Sequence, residues 1–205
     1  MKNLSLFSGI EACSMAWEPL GWKPVAFAEW EDFPKAVLKH YWPKVPDLDD
    51  VTKITEKQIK ALGPIDLVVG GSPCQDLSIA GKRAGLRTEE GEMTRSGLFD
   101  HQMRIFEIAR KNNGCRFCLW ENVPGSFSSN EGRDFAYILG SMVQGEVPVP
   151  ADGWGNSGIC LSERGDRLVE WRVLDAQYMG VAQRRRRVFA LLDTGAWWSR
   201  PPGSI

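Results

Sequence analysis

The stretch "IDLVVGGSPCQDLS", residues 65–78, decides the reading of this 205-residue chain. Its apolar run "IDLVV" reads as a buried β-strand, and a glycine pair, a proline and one cysteine follow where that strand ends. A cysteine at the opening of a turn or helix meets backbone N–H groups and the positive end of the helix dipole, which favour the thiolate. Cys74 is therefore a candidate nucleophile. An inert, buried thiol is the alternative, but Gly71, Pro73, Gln75 and Asp76 make a poor core around it.

On either side of this stretch, "LSLF" precedes a helix from about Glu11, "PVAFAE" precedes "DFPKAVLKHYW", and a loop after Cys74 leads into "GLFDHQMRIFEIARK". Such alternation of β-favouring runs with amphipathic helical stretches predicts βαβ units on a parallel sheet. "CRFCLWENV" reads as another buried strand, followed by a Gly/Ser/Asn loop and the helical "RDFAYILGSMV". "LVEWRVLDAQ" and "RRVFALLD" are close enough in sequence to pair antiparallel at the sheet edge. The expected fold is α/β and Rossmann-like, a mostly parallel sheet with an antiparallel edge hairpin, in one domain over residues 1–205. Residues 145–165, "GEVPVPADGWGNSGICLSERG", are rich in Gly and Pro, lack a clean period, and are expected to form an ordered excursion or loop.

With 43% hydrophobic residues, 25% charged residues and a net charge of −1, the composition is that of a globular protein. No apolar stretch approaches the ~20 residues that a membrane helix needs. The amino-terminal segment reaches Ser8, Gly9 and Glu11 before a secretory core develops, so the expected location is cytoplasmic. Cysteines 13, 74, 115, 118 and 160 are odd in number and loosely spaced, which suits reduced thiols. A net charge near zero does not exclude a nucleic-acid partner, because the placement of basic residues decides binding. From Cys160 to Ile205 eight arginines stand against five acids, so that part is locally basic.

In open α/β sheets ligands bind beyond the carboxyl ends of the strands. Those ends carry Phe7-Ser8-Gly9, Glu29-Trp30, Ser72-Pro73-Cys74 and Glu121-Asn122. Gly9 in a tight strand-to-helix turn lets a ligand approach the backbone. Glu29, twenty residues on, stands where nucleotide-binding sheets place an acid for ribose hydroxyls. The spacing suggests an adenosine-bearing cofactor. There is no G-x-G-x-x-G, so Gly9 also has a purely structural reading, and Trp30 either stacks on a base or fills core.

Glu121 follows the apolar "CLW" and is expected to be partly desolvated beside Asn122, an environment that makes a carboxyl a proton donor near neutral pH. In "QRRRRVF", residues 183–189, strand alternation sets Arg185 and Arg187 on one side and Arg184 and Arg186 on the other, one pair facing a polyanion or a base edge. Cys115 and Cys118 form a lone C-x-x-C with no second pair, and alternation makes them sheet filler rather than zinc ligands. No metal site is expected, and His40 and His101 receive no role.

Taken in order, "LFSGI", "AEWE", "DDVT", "GGSPCQDLS", "RSGLF", "WENVPG" and "AQRRRRVFAL" resemble the motif set of the DNA cytosine-5 methyltransferases of phages and restriction–modification systems, from Leu4 to about Leu192. The resemblance implies that Cys74 adds to carbon 6 of a cytosine flipped out of double-stranded DNA, after which carbon 5 takes the methyl group of S-adenosylmethionine. It implies that Glu121 bonds to ring nitrogen 3, and that Arg187 holds the base oxygen with Arg185 in support. On the cofactor side it places Phe7, Ser8, Gly9 and Ile10 around the methionine end, Glu29 on the ribose and Trp30 against adenine. Asp50 and Val51 would reach the adenine edge, while Pro73 and Leu98 would close the pocket. Lys82, Arg83, Arg87 and Arg95 would contact DNA phosphates, and the setting would be a bacterial or phage-infected cell.

The first motif reads "FSGIEA" where many members of that family have paired glycines, which sets Glu11 and Ala12 against the cofactor. The chain reaches "WWSRPPGSI" without the target-recognition region and final helix of the family, so it is expected to end before them, with a second subunit as a possible source of recognition. The competing readings are an inactive or split remnant that binds cofactor or DNA only, an RNA cytosine methyltransferase, and a thiol redox protein using Cys115 and Cys118. "SPCQ" favours DNA over RNA.

Overall fold

The structure, a computed structural model, describes residues 1–72 and 95–195, with side chains in the second segment from Gly97 onward. Pro73, Cys74, Lys82, Arg83, Arg87, the Arg95 side chain, Trp197 and Trp198 lie outside the described residues. The chain divides into two compact units, residues 1–73 with 97–120 and residues 74–96 with 121–205.

The first unit contains β1 (Lys2–Leu6), β2 (Lys23–Ala28), β3 (Leu67–Gly70) and the first four residues of β4 (Phe117–Asn122). β1 pairs in parallel with β2 and β3, and β3 pairs in parallel with β4, ending at Gly70 opposite Trp120. Asn3 to Leu6 and Leu67 to Gly70 are buried without interruption, as parallel strands covered on both faces must be. Around them lie α1 (Ala12–Trp17), α2 (Asp32–Tyr41), α3 (Glu56–Ala61) and α4 (Phe99–Asn113). α4 stops at Gly114, whose left-handed backbone returns its N–H to the Ala109 carbonyl. α3 is absent from the sequence reading, although its capping box, Thr55 with Gln58, is a local signal.

The second unit contains α5 (Arg133–Val143), β5 (Ser157–Leu161), β6 (Leu168–Asp175) and β7 (Arg186–Asp193), with Glu121 and Asn122 of β4. β6 and β7 pair antiparallel from Leu168 opposite Asp193 to Asp175 opposite Arg186, the pairing expected from the sequence. The edge hairpin is in fact three-stranded, because β5 runs antiparallel along β6. This corrects the reading of residues 145–165 as an ordered excursion or loop at Ser157–Leu161, while the rest of the range holds no strand or helix. The less exposed positions of β5 are Gly158 and Cys160, while Ile159 and Leu161 are exposed, so the alternation never looks amphipathic. Gly158 is required there, since a Cβ would come within 2.2 Å of the Trp171 ring. Phe135 of α5 packs edge-to-face on Trp154 and Trp171 and anchors the helix. The strand order is β2-β1-β3-β4 in the first unit and β7-β6-β5 in the second.

Candidate active site

The turn after β1 is built from left-handed residues: Phe7 and Gly9 at φ 53° and Glu11 at φ 63°. Glycine takes this backbone freely, whereas Phe7 and Glu11 are strained and hold only because their neighbours tie the turn down. The Ser8 N–H donates to the Ala28 carbonyl at 3.2 Å and its hydroxyl to the Ser5 carbonyl at 3.0 Å. The Gly9 N–H donates to Glu29 Oε2 at 2.7 Å. The other oxygen of Glu29 accepts from the N–H groups of Trp30 at 2.8 Å and Glu31 at 2.9 Å. Three charge-assisted bonds thus make this buried carboxylate the tie between the ends of β1 and β2.

Beside the turn lies a recess of about 320 Å³, lined among others by Phe7, Gly9, Glu29, Trp30, Asp50, Val51 and Leu98. Its size suits a small-molecule site. Trp30 is 71% exposed, so its ring is an open stacking face and not core filler. Asp50 accepts from the Thr52 N–H at 2.9 Å and the Thr52 hydroxyl at 2.8 Å, bonds that hold its carboxyl below the usual carboxylate range.

Ser8 and Ile10 do not line the recess: the Ser8 hydroxyl is bonded to backbone, and Ile10 is exposed. Asp49, Gly71 and Glu31 line it without having been anticipated. Arg104 on α4 supports it from behind, donating to the carbonyls of Val51 at 3.1 Å and Ile54 at 2.8 Å. Nothing in the sequence separates this arginine from any other on an amphipathic helix. Glu11 caps α1 through the Ser14 N–H and hydroxyl instead of lining the recess, and burial pushes its carboxyl up.

In the second unit Glu121 and Arg187 form an ion pair, Oε1 to Nε 3.0 Å, with side chains 32% and 24% exposed. Glu121 is therefore a half-buried, paired carboxylate and not an isolated desolvated one, because an arginine far along the chain reaches it. Asn122 Oδ1 accepts from the Val123 N–H at 2.8 Å. Arg185 precedes β7, so the strand alternation that grouped it with Arg187 does not apply; its backbone N–H donates to Asp175 Oδ1 at 3.1 Å. Arg186 donates to Asn156 Oδ1 at 3.0 Å, and with Arg184 and Tyr178 it borders a second recess at the β6–β7 turn.

Cys115 and Cys118 are buried, and burial pushes the Cys115 thiol up to about 12 and that of Cys118 further still. Thiols held protonated in this way are poor redox or metal groups. Among the described residues no cluster of three or more His, Cys, Asp or Glu side chains suits a metal ion, and no helix is long and apolar enough to cross a membrane.

A Rossmann-like α/β fold with a recess at the β1 and β2 ends has its recess where open α/β sheets bind ligands, and comparison with known proteins narrows the class. The C-5 cytosine-specific DNA methylase family matches residues 1–149, and the chain belongs to that family. It is 39% identical to a DNA N-6-adenine-methyltransferase of Escherichia phage P1, over 93% of this chain and 28% of that protein. It is 33% identical to the type II methyltransferase M2.BsuMI of Bacillus subtilis strain 168, over 93% of this chain and 41% of the relative. The chain thus spans less than half the length of these two relatives. A crystal structure of S. pombe Dnmt2 methyltransferase shares the fold with a TM-score of 0.63 at 16% identity, over 94% of this chain and 50% of that one.

Proposed function

We propose that this chain is the catalytic domain, over residues 1–205, of a DNA methyltransferase that transfers a methyl group from S-adenosylmethionine to carbon 5 of a cytosine in double-stranded DNA. The observation that carries the reading is the Glu121–Arg187 pair, a carboxylate and a fork of N–H donors 3.0 Å apart, on motifs that resemble those the family uses to hold the base. The recess beside Glu29 fits the cofactor chemically. It offers an acid for ribose hydroxyls, an exposed indole for adenine, and the apolar walls of Val51 and Leu98.

When bound, S-adenosylmethionine supplies an electrophilic methyl group. Cys74 attacks carbon 6 of the cytosine as thiolate and makes carbon 5 nucleophilic. Arg187 turns from Glu121 to the base oxygen, and Glu121, released from the pair, takes a proton from solvent and passes it to ring nitrogen 3, so negative charge does not accumulate in the ring. The carbon 5 proton then passes to solvent, its electron pair restores the carbon 5–carbon 6 double bond, and the carbon 6–sulfur bond breaks to release Cys74 as thiolate. Phe7, Gly9, Glu29, Trp30, Asp50, Val51, Pro73 and Leu98 form the cofactor site, with Ser8 and Ile10 contributing backbone to the turn and Arg185 supporting Arg187. Target recognition is assigned to a second subunit or to sequence outside the matched region, and the site of action to the cytoplasm of a bacterial or phage-infected cell, the setting of the relatives.

The test is nucleoside mass spectrometry of unmethylated DNA incubated with S-adenosylmethionine and the protein, with Cys74→Ser as control. 5-Methylcytosine that disappears in Cys74→Ser supports the proposal. N6-methyladenine that survives Cys74→Ser overturns it in favour of the chemistry in the phage P1 relative's name, because an exocyclic amine attacks the methyl group without a thiol.

A further inference from the structure

We infer that the hydrogen bond between Trp120 and Ser72 is a positioning device for this reaction, holding the residues that lead into Cys74 and Glu121 at a set separation. The inference rests on the methyltransferase reading above. The parallel register of β3 and β4 runs to Gly70 opposite Trp120. Two residues further on, Ser72 accepts a hydrogen bond from the Trp120 indole, Nε1 to Oγ 3.1 Å. Both residues are buried, Trp120 completely, so the bond is shielded from water and the indole donor is satisfied inside the core. The tie therefore extends the ladder to the residue directly before Pro73-Cys74, and does so from the residue directly before Glu121.

The surroundings leave Trp120 little freedom. Its ring meets Phe99 edge-on at 5.9 Å. Gln102 donates to the Leu119 carbonyl at 3.0 Å, and its side-chain oxygen lies 2.7 Å from where a Cβ on Gly70 would be, so the strand ends are packed to contact on this side. Within the first unit the bond thus ties the end of β3 to β4, two residues before Cys74 and one before Glu121. Rates of reactions between held groups fall steeply with displacement, on the order of a hundredfold for 1 Å.

The experiment is a double-mutant cycle in the full chain with Trp120→Phe, which keeps the ring but loses the donor, and Ser72→Ala, which loses the acceptor; Ser72→Thr keeps the hydroxyl. Each single change is expected to lower kcat about tenfold, with the KM for S-adenosylmethionine within about twofold of wild type, while the double variant is no slower than either single and Ser72→Thr recovers most of the rate. Iodoacetamide labelling of Cys74, followed by peptide mass spectrometry, supplies a readout that needs no DNA. Its rate is expected to shift about threefold or more in both singles and no further in the double. Multiplying effects in the double variant, or a lowered Tm with unchanged kcat and labelling rates, would overturn the inference. If wild type methylates nothing, the function proposed above fails while the labelling cycle still decides this one.

Discussion

Glu29 and Glu121 both stand at the end of a strand, yet they are held in opposite ways. Glu29 is buried and accepts three backbone N–H bonds, so the fold itself is its partner. Glu121 is about a third exposed and meets one arginine side chain. A carboxylate tied to backbone sets the shape of a pocket and has little freedom to change partners. One tied to a side chain at a half-open site can exchange its arginine for a ligand at low cost, as a proton donor to a substrate must.

The difference is broken most sharply by Glu121→Gln, expected to lower kcat by about 10² to 10⁴ with cofactor affinity unchanged, as measured by single-turnover methylation and calorimetry. Arg187→Lys should lose much of the same rate, because an ammonium lacks the planar fork. Glu29→Ala should act the other way, weakening S-adenosylmethionine binding by roughly 10- to 100-fold and lowering Tm, since three part-buried N–H groups lose a charged acceptor. Equal effects of the Glu29 and Glu121 changes on cofactor affinity would erase the distinction.

Smaller effects test the surroundings. Replacing Arg184 and Arg186 together by Ala should leave cofactor binding intact, weaken DNA binding alike for all sequences, and reduce the slope of log affinity against log salt by about 2. The Cys115 thiol, pushed up to about 12 from 9.0 by burial, stays protonated in the fold while the unfolded chain ionises. Its contribution to stability is therefore full below pH about 9 and is lost as pH rises toward about 12, at up to ~1.4 kcal/mol per pH unit. Urea midpoints of wild type and Cys115→Ala compared at pH 8 and pH 10.5 should converge at the higher pH.

The readings that succeeded share a cause. The alternation around "LSLF", "PVAFAE" and "IDLVV" is local, and a strand buried on both faces advertises itself by composition. Helix α5 and the β6–β7 pair were legible for the same reason. β5 was not, because its less exposed positions are a glycine and a cysteine and its existence depends on β6. From sequence alone Trp30 reads as either stacking face or core filler, because exposure is a property of the assembled fold.

By itself the sequence determined the order of motifs, the Rossmann-like succession of elements and the strand ends that carry Gly9, Glu29 and Glu121, since each rests on a few adjacent residues and a period of 2 or 3.6. Only the tertiary structure decided what those residues touch. It closed Glu29 onto Gly9 across twenty residues, brought Arg187 to Glu121 across sixty-six, set Arg104 behind Val51 and linked Trp120 to Ser72. Such contacts form only once strands have paired and helices have packed, and the strength of each depends on the burial that pairing creates.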